Sequence, residues 1–373
     1  MRLRRWNRPT CVHTTSVNIW KILSSVSPVL RGLWIYYCAR SALQTAYTLS
    51  EQFLTLAQQA QDPVMLPAAH RAVGTTLFFL GATTEAHTRF AQGIALSDPQ
   101  QHHVAVLLYG EDAGVVCRSF AAWALWCQGY PDQGLVRSQQ AVTLARQMAH
   151  PFSLSFALGH AALLHACRRE RHAAQERAEA AISLTTEQGF PFWMAWGALL
   201  RGWALAQQGQ AQEGREQMTQ GLMTYGATGA ALVRPYFLAL LAEADGTLGE
   251  PEAGLAVLTE ALTLVETTGE RWYEAEVYRL KGELLLQQHA DHQAEAETCF
   301  NHAIEIARNQ QAKSFELRAA TSLARLWQRQ GKREEAQQVL GEVYGWFTEG
   351  FDTADLQEAK ALLAVLEGEH RRG

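Results

Sequence analysis

A motif with one small residue at a fixed position recurs along this chain about every 40 residues. In GATTEA, residues 81–86, a glycine is followed five positions later by an alanine. Eight small residues occupy this place after a short polar turn, namely Ala46, Ala86, Gly134, Ala174, Gly214, Gly254, Ala296 and Ala336. Their successive spacings are 40, 48, 40, 40, 40, 42 and 40 residues. A near-constant period of this length is typical of a repeat array rather than of separate globular domains.

Each repeat is predicted to form two antiparallel helices. Before the turn, apolar residues recur at helical spacing, as in Phe120, Trp123 and Cys127. After the turn, pairs such as Phe90 and Ile94 continue a second helical stripe. A single hairpin cannot bury its apolar face, so neighbouring hairpins must stack. The sequence therefore predicts an all-α, right-handed superhelical solenoid of about eight helix hairpins, whose first helices line a concave surface.

Residues 77–99 show why small and large residues alternate in the repeat. We expect Gly81 to end the first helix with a positive φ angle. Ala86 and Gly93 are predicted to lie where two helices approach closely, and Phe90 to fill the space between hairpins. Proline cannot continue a helix and restricts the residue before it, so Asp98-Pro99 should end the second helix.

Charge and apolar patterning argue against several classes of protein. Lys and Arg number 32 against 37 Asp and Glu, giving a net charge of −5 and no basic excess for nucleic acid. The segment 17–38 is interrupted by Lys21, Pro28 and Arg31, and falls short of the about 20 apolar residues that a membrane span needs. The six cysteines include no C-x-x-C pair and are expected to be buried thiols in a reducing cytoplasm. We therefore expect a cytoplasmic protein that binds neither nucleic acid nor a membrane.

The repeat offsets resemble the tetratricopeptide (TPR) repeat, although the period is nearer 40 than about 34 residues. Residues 188–210, 232–244, 269–286, 300–336 and 343–363 resemble the C-terminal repeat region of bacterial multidomain regulators. In that family a class III nucleotide cyclase, a kinase or a DNA-binding domain precedes an AAA-type signal-transduction ATPase, and the TPR array follows. The resemblance covers about residues 28–366. It implies a regulatory role, exerted through protein–protein interaction, toward an ATPase or cyclase.

The pattern divides the chain into three parts. Residues 1–25 show no repeat offsets and are expected to be a divergent leader, either disordered or the product of a mis-assigned start. Residues 26–347 are predicted to form the TPR-like solenoid. Residues 348–373 are predicted to form a helix that caps the last repeat with a polar face, followed by a polar tail.

Several side chains of the first helices are predicted to face the groove of the superhelix. They are Trp123, Trp126, Trp196, Trp203, Tyr236, Glu243, Glu276, Arg279, Glu283, Arg318, Arg325 and Arg329. The aromatic members belong to the middle repeats and the charged members mostly to the last two, which suits a peptide or helix with an apolar end and an acidic end. The alternative is structural, because tryptophans also pack in cores and arginines also pair with glutamates at helical spacing.

No residue pattern indicates catalysis or a cofactor. The chain has no phosphate-binding G-x-x-x-x-G-K-[ST] motif, and its Gly331-Lys332 pair belongs to a repeat turn. His102-His103 and the trio His289, Asp291 and His292 lack the converging ligands that a metal needs.

His160, His165 and Cys167 lack the oxyanion site and the polarising environment of a catalytic couple, so a structural role is expected for them. We therefore expect no enzymatic activity, no cofactor and no metal site.

Two functions remain open. The first is a non-enzymatic scaffold that binds a protein or peptide partner, including an ATPase or cyclase domain. The alternative is a sensor of a small-molecule effector, which would stack on Trp123, Trp126, Trp196 and Trp203 within the groove.

Overall fold

The computed structural model describes the backbone of residues 12–370 and the side chains of residues 26–368. Within these bounds the chain forms eighteen α-helices and no strand, which confirms the predicted all-α solenoid of TPR-like hairpins. In chain order the helices are α1 (Val12–Ala39), α2 (Leu43–Ala60), α3 (Met65–Phe79), α4 (Thr83–Leu96), α5 (His102–Tyr109), α6 (Ala113–Cys127), α7 (Pro131–Gln147), α8 (Pro151–Cys167), α9 (Arg171–Gln188), α10 (Pro191–Gln207), α11 (Ala211–Ala227), α12 (Arg234–Thr247), α13 (Pro251–Thr268), α14 (Glu274–Gln288), α15 (Gln293–Asn309), α16 (Lys313–Arg329), α17 (Arg333–Tyr344) and α18 (Ala354–His370).

Eight hairpins account for sixteen of these helices. The first hairpin is α1 with α2, the second α3 with α4, and the remaining six run in consecutive pairs from α6–α7 to α16–α17. The two irregular spacings have local causes. Helix α5 and a short 3-10 helix at Pro99–Gln101 lengthen one connection, and a 3-10 helix at Ala290–His292 lengthens another. Insertions between hairpins therefore change the period without breaking the array.

The small residue of the motif lies in the first turn of each second helix, where that helix crosses its partner. A Cβ added at Gly134 would lie 2.8 Å from the backbone oxygen of Ala122, and one at Gly214 would collide with the backbone oxygen of Gly202. Gly81 has a φ angle of 87°, as expected for a helix end. Phe90 is fully buried and stacks on Phe120 of the next hairpin, with ring centroids 5.5 Å apart. The predicted roles of Gly81 and Phe90 are confirmed.

The superhelix is wound so tightly that successive turns contact each other. Backbone carbonyls at the ends of first helices accept hydrogen bonds from residues four or more hairpins along the chain. The donor and acceptor residues are Ala231 with Ala39, Arg271 with Phe79, Ser314 with Trp126, and Arg318 with Cys167. Ser314 and Trp126 are 188 residues apart in sequence. The inner surface of the first helices is therefore largely covered by the following turn.

Helix α18 covers the last hairpin. Leu356, Ala359, Leu362 and Leu366 of α18 are buried against α16 and α17. This arrangement confirms the predicted C-terminal capping helix.

The predicted boundary at residue 25 falls inside α1. Residues 1–11 and 371–373 lie outside the described residues, so the division into leader, solenoid and tail stays a prediction. Along the described helices, none combines the length and apolarity that crossing a membrane requires.

Candidate functional site

The middle aromatic residues predicted to face a groove form a buried column instead. Trp123, Trp126 and Trp196 are each no more than 3% exposed. The indole of Trp123 stacks in parallel on Trp196 and on Trp272, with centroid distances of 6.2 and 5.9 Å. Because the next superhelical turn supplies Trp272, the ring of Trp123 presents no open face to a partner.

The charged residues of the later repeats converge around one cavity of about 290 Å³. We call it the charged pocket. It is lined by α8, α10, α12, α14, α16 and α18, together with Arg169 in the turn after α8. Eight of the twelve predicted groove residues line it, namely Trp203, Tyr236, Glu243, Glu276, Arg279, Glu283, Arg318 and Arg325. Arg329, by contrast, is exposed and does not line the pocket.

Glu276 lies at the centre of an ion-pair network in the charged pocket. Its Oε2 accepts a hydrogen bond of 2.9 Å from Nε of Arg279, and its Oε1 accepts one of 3.2 Å from Nη1 of Arg318. Burial opposes ionisation of Glu276, but the two guanidinium groups outweigh it and lower the pKa of Glu276 to about 2. The carboxylate is therefore charged at neutral pH and holds α14 and α16 together.

Helix α18 supplies two more carboxylates to this network. Asp355 accepts a hydrogen bond of 2.9 Å from Nε of Arg318. Glu358 pairs with Arg325 and accepts a hydrogen bond of 2.6 Å from Arg169. The capping helix therefore already occupies the positions that acidic groups of a partner were expected to take.

Sequence reasoning missed Arg169, Asp355 and Glu358. Asp355 and Glu358 lie three residues apart on one face of α18, the helix predicted only to cap the last repeat with a polar face. Arg169 belongs to a repeat turn that resembles the turns of the other hairpins. Nothing in their local sequence indicates that they meet across the superhelix.

Glu243 is the least compensated carboxylate of the charged pocket. Its Oε2 accepts a hydrogen bond of 2.9 Å from Nε1 of Trp203, and no salt bridge to it exists within residues 26–368. The lining contains five carboxylates, at positions 243, 276, 283, 355 and 358, and four guanidinium groups, at 169, 279, 318 and 325. An excess of one negative charge results, and it favours a cationic group near Glu243.

The histidines and cysteines have structural environments. His160 is stacked between Phe156 and Trp123, and burial lowers its pKa to about 3, so the ring is neutral. Burial raises the pKa of Cys167 to about 12. The thiols of Cys38, Cys117, Cys127, Cys167 and Cys299 are free and buried. Across the described part of the chain, no three His, Cys, Asp or Glu side chains converge as metal ligands.

Comparison with known proteins defines the fold more than the function. No family model matches the chain. An uncharacterised protein of Rhizobium meliloti (strain 1021) is 22% identical over 301 residues, which is 80% of this chain and 29% of that protein. The chain thus spans less than a third of the length of this relative.

Two solved structures share the arrangement of helices. The Rap protein complexed with Competence and Sporulation Factor has a TM-score of 0.56 at 10% identity, covering 92% of this chain and 98% of that one. NprR in complex with its cognate peptide NprX has a TM-score of 0.54 at 10% identity, covering 92% of this chain and 97% of that one. At this level of identity, the similarity concerns the superhelical fold.

Proposed function

We propose that this chain is a non-enzymatic TPR-like interaction module that binds a segment of a protein partner in the charged pocket. The observation that carries the proposal is Glu243, a half-buried carboxylate without a salt bridge among the described residues, beside the buried rings of Trp203 and Tyr236. A carboxylate next to aromatic rings suits a Lys or Arg side chain, which pairs through its charge and packs through its methylene groups.

The pairing pattern favours a basic partner segment over the acidic one expected from the sequence. Arg318 and Arg325 would attract acidic groups, but Asp355 and Glu358 of α18 already neutralise them. An acidic segment would have to displace both carboxylates. A basic group near Glu243 would displace nothing and would cancel the excess negative charge.

The similar structures support a binding role for this fold. The NprR structure holds its cognate peptide NprX, and the Rap structure is a complex with Competence and Sporulation Factor. The resemblance to bacterial ATPase-linked and cyclase-linked repeat regions supports a finer proposal, in which the partner is an ATPase or cyclase domain and the module regulates it in the cytoplasm.

Selection of random dodecapeptides displayed on phage tests the binding proposal. Peptides selected on the unaltered chain should be enriched in Lys or Arg at one position. Glu243→Gln should abolish that enrichment, because it removes the charge while keeping the shape. Glu252→Gln, at an exposed position in the first turn of α13, is the matched control and should retain it. Enrichment of acidic peptides, or no difference between Glu243→Gln and the unaltered chain, would contradict the proposal.

Affinity capture from the native cell lysate tests the finer proposal. Mass spectrometry should identify an ATPase or cyclase that is captured by the unaltered chain and lost with Glu243→Gln. Capture of neither class of protein would contradict the proposed regulation of an ATPase or cyclase. It would not contradict peptide binding in the charged pocket, which the phage selection tests separately.

A second candidate function, the sensing of a small molecule, is favoured by a different observation. A separate cavity with an aromatic lining lies between the first helices of the earlier hairpins. The chemistry of this lining specifies a class of ligand.

A further inference from the structure

The second cavity has a volume of about 390 Å³ and shares no lining residue with the charged pocket. We call it the apolar cavity. Helices α1, α3, α6, α8 and α10 contribute to it, with the segment that joins α11 to α12. Its wall includes the rings of Trp34, Phe79, Phe120, Phe156, Trp193 and Trp196. The volume lies within the range of about 300–1,000 Å³ typical of small-molecule sites.

Arg71 is the main polar group in this aromatic wall. The residue is 5% exposed, and its guanidinium lies 4.4 Å from the ring centroid of Trp34. Its Nη2 contacts the carboxylate of Glu111 at 3.3 and 3.4 Å, whereas Nε and Nη1 have no hydrogen-bond acceptor. Buried guanidinium donors without acceptors are costly, so this arrangement points to an acceptor supplied by a ligand.

Glu111, the one carboxylate in the lining of the apolar cavity, is not reserved for Arg71. Glu111 is shared between Arg71 and Arg31, whose Nη2 lies 2.6 Å from the Glu111 carboxylate. Two guanidinium groups thus face one carboxylate. Glu270 lies outside the lining, where its carboxylate accepts hydrogen bonds from Ser41 and from the backbone of Val233. Arg31 also lies outside the lining, so the lining holds one guanidinium, Arg71, and one carboxylate, Glu111, which Arg71 shares with Arg31.

Two further polar atoms on the wall lack partners. Nδ1 of His160 lies 3.0 Å from the backbone oxygen of Phe156, which assigns the proton of this neutral ring to Nδ1 and leaves Nε2 as an acceptor. Both Nε2 of His160 and the hydroxyl of Thr75 are buried without a hydrogen-bond partner. The wall thus presents cationic donors at Arg71 and an acceptor at His160.

We propose that the apolar cavity binds a small apolar carboxylic acid. Its carboxylate would accept hydrogen bonds from Nε or Nη1 of Arg71, and its apolar body would pack on the aromatic rings. A hydroxyl or amide N–H on that body would donate to Nε2 of His160. The proposal rests on the second candidate function and is independent of peptide binding in the charged pocket.

Ligand binding here would connect two turns of the superhelix. Ala39 of α1 lines the cavity together with Leu232, and its backbone oxygen accepts hydrogen bonds from Ala231 and Leu232. A molecule that packs against both segments stabilises the contact between them. Bound ligand should therefore raise the thermal unfolding temperature.

Isothermal titration calorimetry with two acid–amide pairs tests the proposal on the unaltered chain. The probes are indole-3-acetate with indole-3-acetamide, and octanoate with octanamide. We expect at least one acid to bind about tenfold or more tightly than its own amide, because hydrogen bonds to charged groups are stronger than neutral ones. Equal binding of acid and amide, or no acid binding at millimolar concentration, would overturn the proposal.

Variants then locate the binding site. The double variant Arg71→Met with Glu111→Gln removes the cation without leaving Glu111 charged, and it should abolish the preference for acid over amide. The matched control is Arg201→Met with Glu179→Gln, which breaks an ion pair outside both cavities and should retain the preference. A preference that survives in the folded double variant would overturn the proposal. If circular dichroism shows that the double variant is unfolded, the acid–amide comparison on the unaltered chain still tests the proposal.

One more variant separates the two sites. Glu243→Gln should leave acid binding unchanged, since Glu243 belongs to the charged pocket. Loss of acid binding in this variant would place the acid in the charged pocket and overturn the assignment. If the peptide selection fails but the acid still binds, the result contradicts peptide binding in the charged pocket and leaves the proposal for the apolar cavity intact.

Discussion

The indole of Trp123 in the third hairpin lies parallel to that of Trp272, immediately before α14 of the seventh, with an angle of 11° between the ring planes. Trp272 also lies 5.3 Å from Phe78 and 5.4 Å from Tyr236 between ring centroids. Residues from four hairpins therefore meet at one ring. The two turns of the superhelix share a single aromatic core, and the protein is more closely packed than an open solenoid.

Replacing Trp272 by alanine should strongly destabilise the protein. The side chain is 2% exposed, and the loss of a large buried ring typically costs about 3–5 kcal/mol. Urea unfolding followed by circular dichroism measures the change. Trp346→Ala is the control. Because Trp346 is 37% exposed, this variant should lose less unfolding free energy than Trp272→Ala. Equal losses in the two variants would show that the contact between superhelical turns contributes little.

The small residue of the repeat motif should be intolerant of enlargement where helices cross. Gly214→Ala would bring a methyl group against Gly202 and Ala206, and overpacking of this kind costs about 1–3 kcal/mol. Gly32→Ala is the matched control, because no atom lies within 4 Å of the added methyl and α1 is helical there. That control should gain about 0.5–1 kcal/mol in unfolding free energy. A gain in both variants would contradict the close approach.

Stability should fall as the pH rises from about 4.5 through 7 because of Glu270. Burial raises the pKa of Glu270 from its ordinary value of 4.5 to about 7, against the hydrogen bonds from Val233 and Ser41. Between these two pH values the folded chain keeps a proton that the unfolded chain releases. The unfolding free energy therefore falls by at most about 1.4 kcal/mol per pH unit.

Glu270→Gln should remove this contribution to the pH dependence. Urea titrations of the unaltered chain and the variant across pH 4.5–7.5 measure the difference between the two slopes. Glu266→Gln, at an exposed position of α13, should keep the slope of the unaltered chain. Parallel curves for Glu270→Gln and the unaltered chain would exclude a raised pKa for Glu270.

Loss of Arg318 should loosen the capping helix. Arg318 is held between Glu276 and Asp355, and its guanidinium lies 5.1 Å from the ring centroid of Trp126. Arg318→Met would leave the buried Glu276 and the half-buried Asp355 without this partner, and removing one partner of a buried ion pair costs about 3–5 kcal/mol. Hydrogen exchange in α18 should accelerate. Arg325→Met, at a more exposed ion pair, should change the exchange less, and unchanged protection of α18 in Arg318→Met would refute the coupling.

Local patterns predicted the hairpins because their causes are local. The helical spacing of apolar residues, the positive φ angle at Gly81 and the close packing at Gly134 each depend on neighbours within one or two hairpins. The eight repeats could therefore be counted from the sequence. Glu276 and Arg279 could also be placed together, since residues three apart share a helix face.

Closure of the superhelix could not be predicted, because it depends on small rotations that accumulate over many hairpins and on insertions such as α5. An open groove and a closed core require the same apolar residues at Trp123 and Trp196. Only the tertiary structure decided that these rings are buried, that Arg318 meets Asp355 of α18, and that Arg71 lines a cavity with an aromatic wall. The sequence by itself determined the repeating unit, whereas the winding of the units determined which side chains remain free to bind.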